Sequence, residues 1–357
     1  MYRVNDFFCG CGGMGLGFKQ AGWEIAGAWD WDKYAVKSYA ANIGDHVKQM
    51  DIRQMTWQDV PFAHVWTFGF PCQDLSIAGK MAGLFEGERS RLFFEVMRLL
   101  DEILQFSPEK APQMLLAENV EQLKRYLPVL EQEYAKRGYR MSYALYNSKY
   151  WGVPQSRERY FVAGVRGDKI LQFPYQQTER VPRLFEILET DVPEKYYMPD
   201  EKARSIIEAA LQKGYENPQD AFTDKDGCAY CLDANYWKGV APNGVGKGRR
   251  THIIAPEIVV IGRLDIKGKD QWKRVYDVNG LCPTLTAICG GKQEPKIWDE
   301  EKFRVRKLTP RECARLQGFP DSYKLVCSDT QMYKQFGNAV TVSVAKAIAE
   351  TMKGVLK

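Results

Sequence analysis

Histidine is nearly missing: the 357 residues hold three, His46, His64 and His252. None follows a cysteine in a recognisable dyad, which argues against a cysteine hydrolase, whose nucleophile needs such a base. The same scarcity leaves Cys9 and Cys11 without the two further ligands of a tetrahedral metal site, and no metal is expected. Cys228-x-x-Cys231 lies too far along the chain to be argued as the missing pair. No apolar run approaches the ~20 residues of a membrane span. The opening "MYRVNDFF" lacks the basic-then-apolar layout of a signal peptide, so a cytoplasmic protein is expected. Nine cysteines, an odd and scattered set, fit reduced thiols better than a disulfide framework. Neither sign of charge dominates: the net +5 is compatible with a polyanionic partner but identifies none. Repeats and low-complexity tracts are also lacking.

What is present is a rhythm. "RVNDFF" reads as a strand running into a glycine turn, and "GLGFKQAG" as a helix closed by Gly22. "EIAGAWD" is a second strand and "DKYAVKSYAANIG" a second helix; Asp51 ends an expected third strand. "HVWTFGFP" is a strand stopped by Gly69 and Pro71. "SRLFFEVMRLLDEILQFS" carries a helical stripe through Leu92, Val96, Leu99, Leu100, Ile103 and Leu104. "QMLLAEN" and "RYFVAGV" are further strands. Such alternation predicts an α/β fold, a mostly parallel sheet with helices on both faces. Ligands of such folds bind beyond the carboxyl ends of the strands. After about Phe173 glycine, proline and charge increase, which predicts a second, loop-rich domain. Clear helices then return. Thr309-Pro-Arg-Glu312 is a capping box, Ser328-x-x-Gln331 another, and Gly337 is expected to end the latter helix. "VTVSVAKAIAETMKGVL" is an amphipathic C-terminal helix.

Gly10-x-Gly12-x-x-Gly15 follows a strand and precedes a helix, the setting of a dinucleotide-binding turn. Asp30 lies 20 residues after Gly10, where a carboxylate commonly meets ribose hydroxyls. Asp51 is positioned for an adenine amino group. The pattern suits nicotinamide or flavin dinucleotides and S-adenosylmethionine equally. Cys9 and Cys11 read as small thiols packing the turn.

"FGFPCQDLS" places Cys72 just after a strand, and "QMLLA" delivers Glu118-Asn119 in the same way. With both strands parallel, a nucleophile and an acid emerge beside the cofactor turn. Cytosine accepts a thiolate at C6 when an acid engages N3. Its C5 then becomes carbanion-like and can take a methyl group from a sulfonium donor.

At these residues the chain resembles the bacterial DNA cytosine-5 methyltransferases of restriction–modification type. The resemblance runs in family order through Asp6-Phe7-Phe8-x-Gly10-x-Gly12-Gly13, Gly69-Phe70-Pro71-Cys72-Gln73, Glu118-Asn119-Val120, Gln155-x-Arg157-x-Arg159, "LTPRECARLQGFPD" and "QFGNAV". It implies a Rossmann-like, S-adenosylmethionine-dependent sheet with S-adenosylhomocysteine as product. It also implies a smaller target-recognition domain. The implied division is 1–185 catalytic, 186–305 target recognition, 306–336 a hinge, and 337–357 a helix returning to the catalytic domain. Cys72 would be the nucleophile, Glu118 the partner of cytosine N3 and its amine, and Arg159 the holder of O2. Arg157 would organise the site or a phosphate. Phe8, Gly10, Gly12, Gly13, Asp30, Trp31, Asp51, Ile52, Pro71, Leu92, Asn338 and Val340 would form the cofactor site. Gln73, Ser76, Arg89, Arg263, Thr284 and Leu285 would contact duplex DNA, with Arg274, Lys292 and Lys296 as further basic candidates. The loop from Ser76 to Arg91 would close over the DNA. "ARG-SER-ARG-LEU" stands at Arg89 to Leu92 where the family often has Arg-Gly-Thr-Leu, and Ala78 where some relatives have Ser. The expected protein is a monomer without stable protein partner or membrane attachment, with a restriction endonuclease as a functional counterpart. A tRNA-methylating relative, a nicotinamide oxidoreductase and an inactive DNA-binding relative are the competing readings. The oxidoreductase leaves Cys72, Glu118 and the C-terminal motifs without a reason.

Overall fold

The computed structural model describes residues 1–70, 91–176, 180–248, 250–256, 260–263, 274–277, 296–298 and 303–356. The described residues form two compact units, one of 1–188, 226–238 and 310–357, the other of 189–225 and 239–309.

The first unit is built on seven strands: β1 (Arg3–Phe7), β2 (Glu24–Asp30), β3 (Val47–Gln49), β4 (Val65–Phe68), β5 (Met114–Val120), β6 (Tyr139–Asn147) and β8 (Glu158–Arg166). Their order is β3-β2-β1-β4-β5-β8-β6. β1 through β5 are parallel neighbours, whereas β8 runs antiparallel to β5 and β6. The α/β expectation is thus met, with an antiparallel pair at one edge. Alternation along the buried strands feeds two cores. Trp66, Phe68, Leu115 and Ala117 face one layer with Phe93, Val96, Leu99 and Leu100. Those four come from α3 (Leu92–Phe106), the apolar stripe of the sequence. Val65, Met114 and Leu116 face the other layer. There they meet Met14 and Phe18 of α1 (Gly13–Gln20) and Val344, Ile348 and Met352 of the C-terminal helix. That helix, Val342–Leu356, packs along α1, and Trp23 Nε1 donates to Ala349 O at 3.1 Å.

Two helix-end expectations are corrected. In the helix Asp329–Asn338, Ser328 is the N-cap residue but makes no side-chain capping bond. Gly337 does not end that helix; it lies inside it, with Asn338 as the last residue. Glycine is needed there for close approach: a Cβ would sit 2.4 Å from the backbone carbon of Asp233 and 2.5 Å from its oxygen. Backbone cannot swing aside as a flexible side chain can. Gly337→Ala is therefore expected to cost about 1–3 kcal/mol, the range of overpacking, and to loosen residues 226–238. Urea denaturation together with proteolysis in that segment measures both effects.

Residues 226–238 fall in the middle of the second-domain stretch, yet they pack with the first unit. Their anchor is a two-residue parallel pairing of β7 (Gln155–Ser156) with β9 (Ala229–Tyr230). In the second unit the helix Asp200–Gln212 buries Ala203, Ile206, Ile207 and Ala210. Nearby, β10 (His252–Pro256) pairs antiparallel with β14 (Phe303–Lys307). A further sheet joins β11 (Val260–Arg263), β12 (Arg274–Asp277) and β13 (Lys296–Trp298). No described helix is long and apolar enough to cross a membrane.

Candidate active site

The site collects at the carboxyl edge of the large sheet, where β1, β2, β4 and β5 end together. Because β8 is antiparallel, its beginning lies at that same edge, with Arg159 opposite Val120 and Phe161 opposite Glu118. A strand running the other way therefore brings Arg157 and Arg159 to the end of β5, an arrangement that parallel order alone would forbid.

At the end of β1 the chain turns through Phe8 at φ 54° and Gly10 at φ 56°. A left-handed conformation is uncommon for a bulky residue and costs on the order of 1–3 kcal/mol. At Gly10 no atom of the described residues lies within 4 Å of the position a Cβ would take. Gly13 is the opposite case: a Cβ there would meet Val340 O at 2.2 Å, so Val340 closes the start of α1. Asp30 is fixed by two backbone donors, Gly10 N at 2.9 Å and Asp32 N at 2.8 Å. Burial pushes its carboxyl up, and those two N–H groups oppose the shift. Trp31 beside it is 68% exposed. Asp51 caps a short turn at Ile52, which is buried, and its carboxylate is engaged by Arg53. Cys9 and Cys11 are buried; burial drives the Cys11 thiol to about 12 and Cys9 well above its ordinary value. Neither is the reactive form at neutral pH. The C-terminal region closes around this turn: Tyr323 Oη donates to Cys11 O at 2.8 Å, and Lys334 pairs with Asp32 at 2.7 Å. Leu92 begins α3 against the core, and Asn338 ends its helix exposed.

Glu118 is buried, with Arg159 Nε 3.3 Å from its Oε1. No described group donates a hydrogen bond to that oxygen. Burial raises the Glu118 carboxyl, while the Arg159 and Arg157 guanidinium groups pull it back. Asn119 Nδ2 donates to Phe70 O at 3.0 Å, tying the end of β5 to the residue two before Cys72. A Cβ on Gly69 would stand 3.6 Å from Glu118 Oε2. Pro71, Cys72, Gln73, Ser76, Ala78 and Arg89 lie outside the described residues, as do Thr284, Leu285 and Lys292.

Arg157 is fully buried and faces four acceptors: Cys231 Sγ at 3.3 Å, Leu232 O at 3.1 Å, Gly337 O at 3.2 Å and Ala339 O at 2.9 Å. Gln155 assists: its Nε2 donates to Leu316 O at 2.8 Å and its Oε1 accepts from Leu232 N at 2.9 Å. Sequence reasoning singled out Arg157 and Arg159 but missed the partner segment. Its one signal, Cys228-x-x-Cys231, is weighed on the sequence only as metal ligands for Cys9 and Cys11 and set aside as too distant. In the second unit, register places Arg263 opposite Arg274, and Lys296 opposite Val275. Three of the basic DNA-contact candidates therefore share one small sheet.

Comparison with known proteins agrees with this geometry. The model of the family described as C-5 cytosine-specific DNA methylase matches residues 2–354. Type II methyltransferase M.NlaX of Neisseria lactamica is 32% identical, over 100% of this chain and 97% of that protein. Type II methyltransferase M.HhaI of Haemophilus parahaemolyticus is 31% identical, over 97% of this chain and 93% of that protein. The solved structure of the Entamoeba histolytica methyltransferase EhMeth has a TM-score of 0.70 at 20% identity, covering 100% of this chain and 99% of that one, a likeness of fold. The chain belongs to the C-5 cytosine-specific DNA methylase family, and as an enzyme it is a DNA cytosine-5 methyltransferase.

Proposed function

We propose that the chain methylates C5 of a cytosine turned out of duplex DNA, with S-adenosylmethionine as methyl donor and a transient Cys72–C6 bond. The observation that carries this reading is Glu118. It is a buried carboxyl at the sheet's carboxyl edge, held by Arg159 yet with an oxygen that accepts no hydrogen bond among the described residues. Leaving a buried acceptor unmade costs about 1–3 kcal/mol, so such an oxygen suits an incoming donor. Cytosine presents one, its exocyclic amine, beside the N3 acceptor that a protonated carboxyl can engage.

The cofactor fits the glycine turn. Gly10 leaves room for close approach, Asp30 presents a carboxylate, and Trp31 an exposed ring face. With Phe8, Gly12, Gly13, Ile52, Pro71, Leu92, Asn338 and Val340 these residues would hold it; Asp51 would reach adenine on release from Arg53. The bound group supplies an electrophilic methyl on sulfur. The chain's own residues do the rest. Cys72 thiolate adds to C6, Glu118 shares its proton with N3, and Arg159 steadies O2. C5, now nucleophilic, takes the methyl group as its bond to sulfur breaks, leaving S-adenosylhomocysteine as the product. Water then removes the C5 proton, the C6–S bond breaks, and the thiolate is regenerated. Turning the base out costs a few kcal/mol, which DNA contacts must offset. Target reading is assigned to the 186–305 stretch, less residues 226–238. Arg263, Thr284 and Leu285 are its proposed contacts, and Gln73, Ser76 and Arg89 those of the catalytic part. The 306–336 stretch is assigned as a hinge.

Incubation with tritiated S-adenosylmethionine and mixed-sequence duplex DNA, beside tRNA, tests the reading. Label in 5-methylcytosine of the DNA is expected; label in tRNA alone would reassign the substrate. Glu118→Gln is expected to slow methyl transfer by roughly 10²–10⁴-fold, the usual share of one general acid. The sign with pH follows from the raised carboxyl. Protonated Glu118 is the competent form, so the wild-type rate falls as pH rises through its pKa. The Gln variant, which cannot titrate, should lose that limb. A limb that persists in the variant would assign it to another group.

A further inference from the structure

Cys231 has no place in the reaction as derived, yet it stands between both site arginines. Its sulfur lies 3.3 Å from Arg157 Nη1 and 3.6 Å from Arg159 Nη2. Arg159 in turn reaches Glu118 at 3.3 Å. The four side chains form one line: Glu118, Arg159, Cys231, Arg157. We propose that Cys231 is a positioning residue, the second counter-charge of the Arg157–Arg159 pair, holding Arg159 in place for Glu118 and for cytosine.

The argument is one of charge. Two guanidinium groups stand side by side, and each disfavours the other's charge. Arg157's other three partners are backbone carbonyls, which satisfy hydrogen bonds without neutralising its charge. Glu118 is one carboxylate facing both cations from β5, and it must be protonated when cytosine is engaged. At that moment the pair needs another anion, and Cys231 is in contact with both. Among the described residues the charged groups facing the sulfur are Arg157, just before β8, and Arg159 within it. Burial would raise the Cys231 thiol, but the two cations outweigh it and the net shift is downward. One neighbour acts the other way: Leu232 O, 3.5 Å from the sulfur, accepts from the protonated thiol. The register explains why a residue so far along the chain arrives here. Ser156 pairs with Tyr230, so the residues following each, Arg157 and Cys231, meet.

The consequence concerns Glu118. An anion beside the arginines weakens their pull on its carboxyl and keeps the competent protonated form to higher pH. The kinetic part of this rests on the proposed methyl transfer; the thiol part does not. Two measurements separate them. Iodoacetamide labelling of the wild-type protein across pH, read on the Cys231 peptide by mass, should show a midpoint below the ~8.5 of a free cysteine. A midpoint at or above that value overturns the proposal whatever the activity. For methyl transfer to DNA, Cys231→Ser should lower kcat about tenfold at neutral pH. Its descending pH limb should move down by about one unit, the low end of what one nearby charge does. Cys231→Asp, which restores an anion, should return the limb towards wild type. If Ser and Asp variants lose activity alike with the limb unmoved, or if Ser behaves as wild type, Cys231 is packing and the proposal fails. Wild-type protein that methylates no DNA would instead sink the functional reading and leave the labelling result standing.

Discussion

Cys72→Ser is expected to form no covalent complex with duplex DNA carrying 5-fluorocytosine, and to transfer no measurable methyl group. The reason is chemical. A thiolate adds to C6, and C5 takes the methyl; release then requires loss of the C5 proton. Fluorine at C5 leaves no proton to remove, so the wild-type enzyme stays bonded to its substrate and survives denaturing electrophoresis. Serine's hydroxyl is far less acidic than a thiol, and the site has no described histidine to activate it, so it does not add. Binding of DNA and cofactor should persist, which separates this loss from unfolding. A complex that still forms in the Ser variant would place the nucleophile on another thiol. Cys231, held between two cations, is the one to replace next.

Arg157→Leu is expected to destabilise the protein by roughly 3–5 kcal/mol, the usual cost of breaking a buried charged network. Typical stabilities are about 5–15 kcal/mol, so much of the total is at stake. Leucine would leave Leu232 O, Gly337 O and Ala339 O, all within one buried cluster, without this donor. Each carbonyl so stranded costs about 1–3 kcal/mol, partly offset because an apolar side chain avoids desolvating a guanidinium. Arg157→Lys should rescue little. An ammonium is a compact point charge and cannot reproduce the planar fork that bridges residues 231–232 and 337–339. The urea midpoint of both variants measures this. A Leu variant within about 1 kcal/mol of wild type would show that the desolvation avoided, or water on the carbonyls, makes good the lost bonds.

Local signals made most of the first unit legible. β1, the glycine turn and α1 follow one another within 20 residues, and the stripe of α3 has the helical period. The exits of β4 and β5 were marked by Gly69-Phe70-Pro71 and Glu118-Asn119. β6 was not foreseen; it is the edge strand, and Tyr143 and Leu145 point apolar side chains outward, which blurs its alternation. Ala203, Ile206, Ile207 and Ala210 did carry a helical spacing in the second unit, and the surrounding glycines and charges masked it. Gly337 read as a stop because a glycine at a helix end usually is one. Only the contact with Asp233, more than a hundred residues earlier, reveals its reason. Cys231 is the same lesson: its partners are distant in sequence, and no periodic pattern records a pairing two residues long.

The packing of α1 against the C-terminal helix has a consequence for synthesis. A ribosome releases Met14 and Phe18 long before Val344 and Ile348 exist. At about 5–20 residues per second the gap is on the order of tens of seconds. Throughout it the nascent chain shows one apolar face of its first helix and strands with no cover. A message cut short before Val342 should therefore yield a chaperone-bound or degraded product, not a slightly smaller enzyme, even though Cys72, Glu118 and both arginines have all been translated.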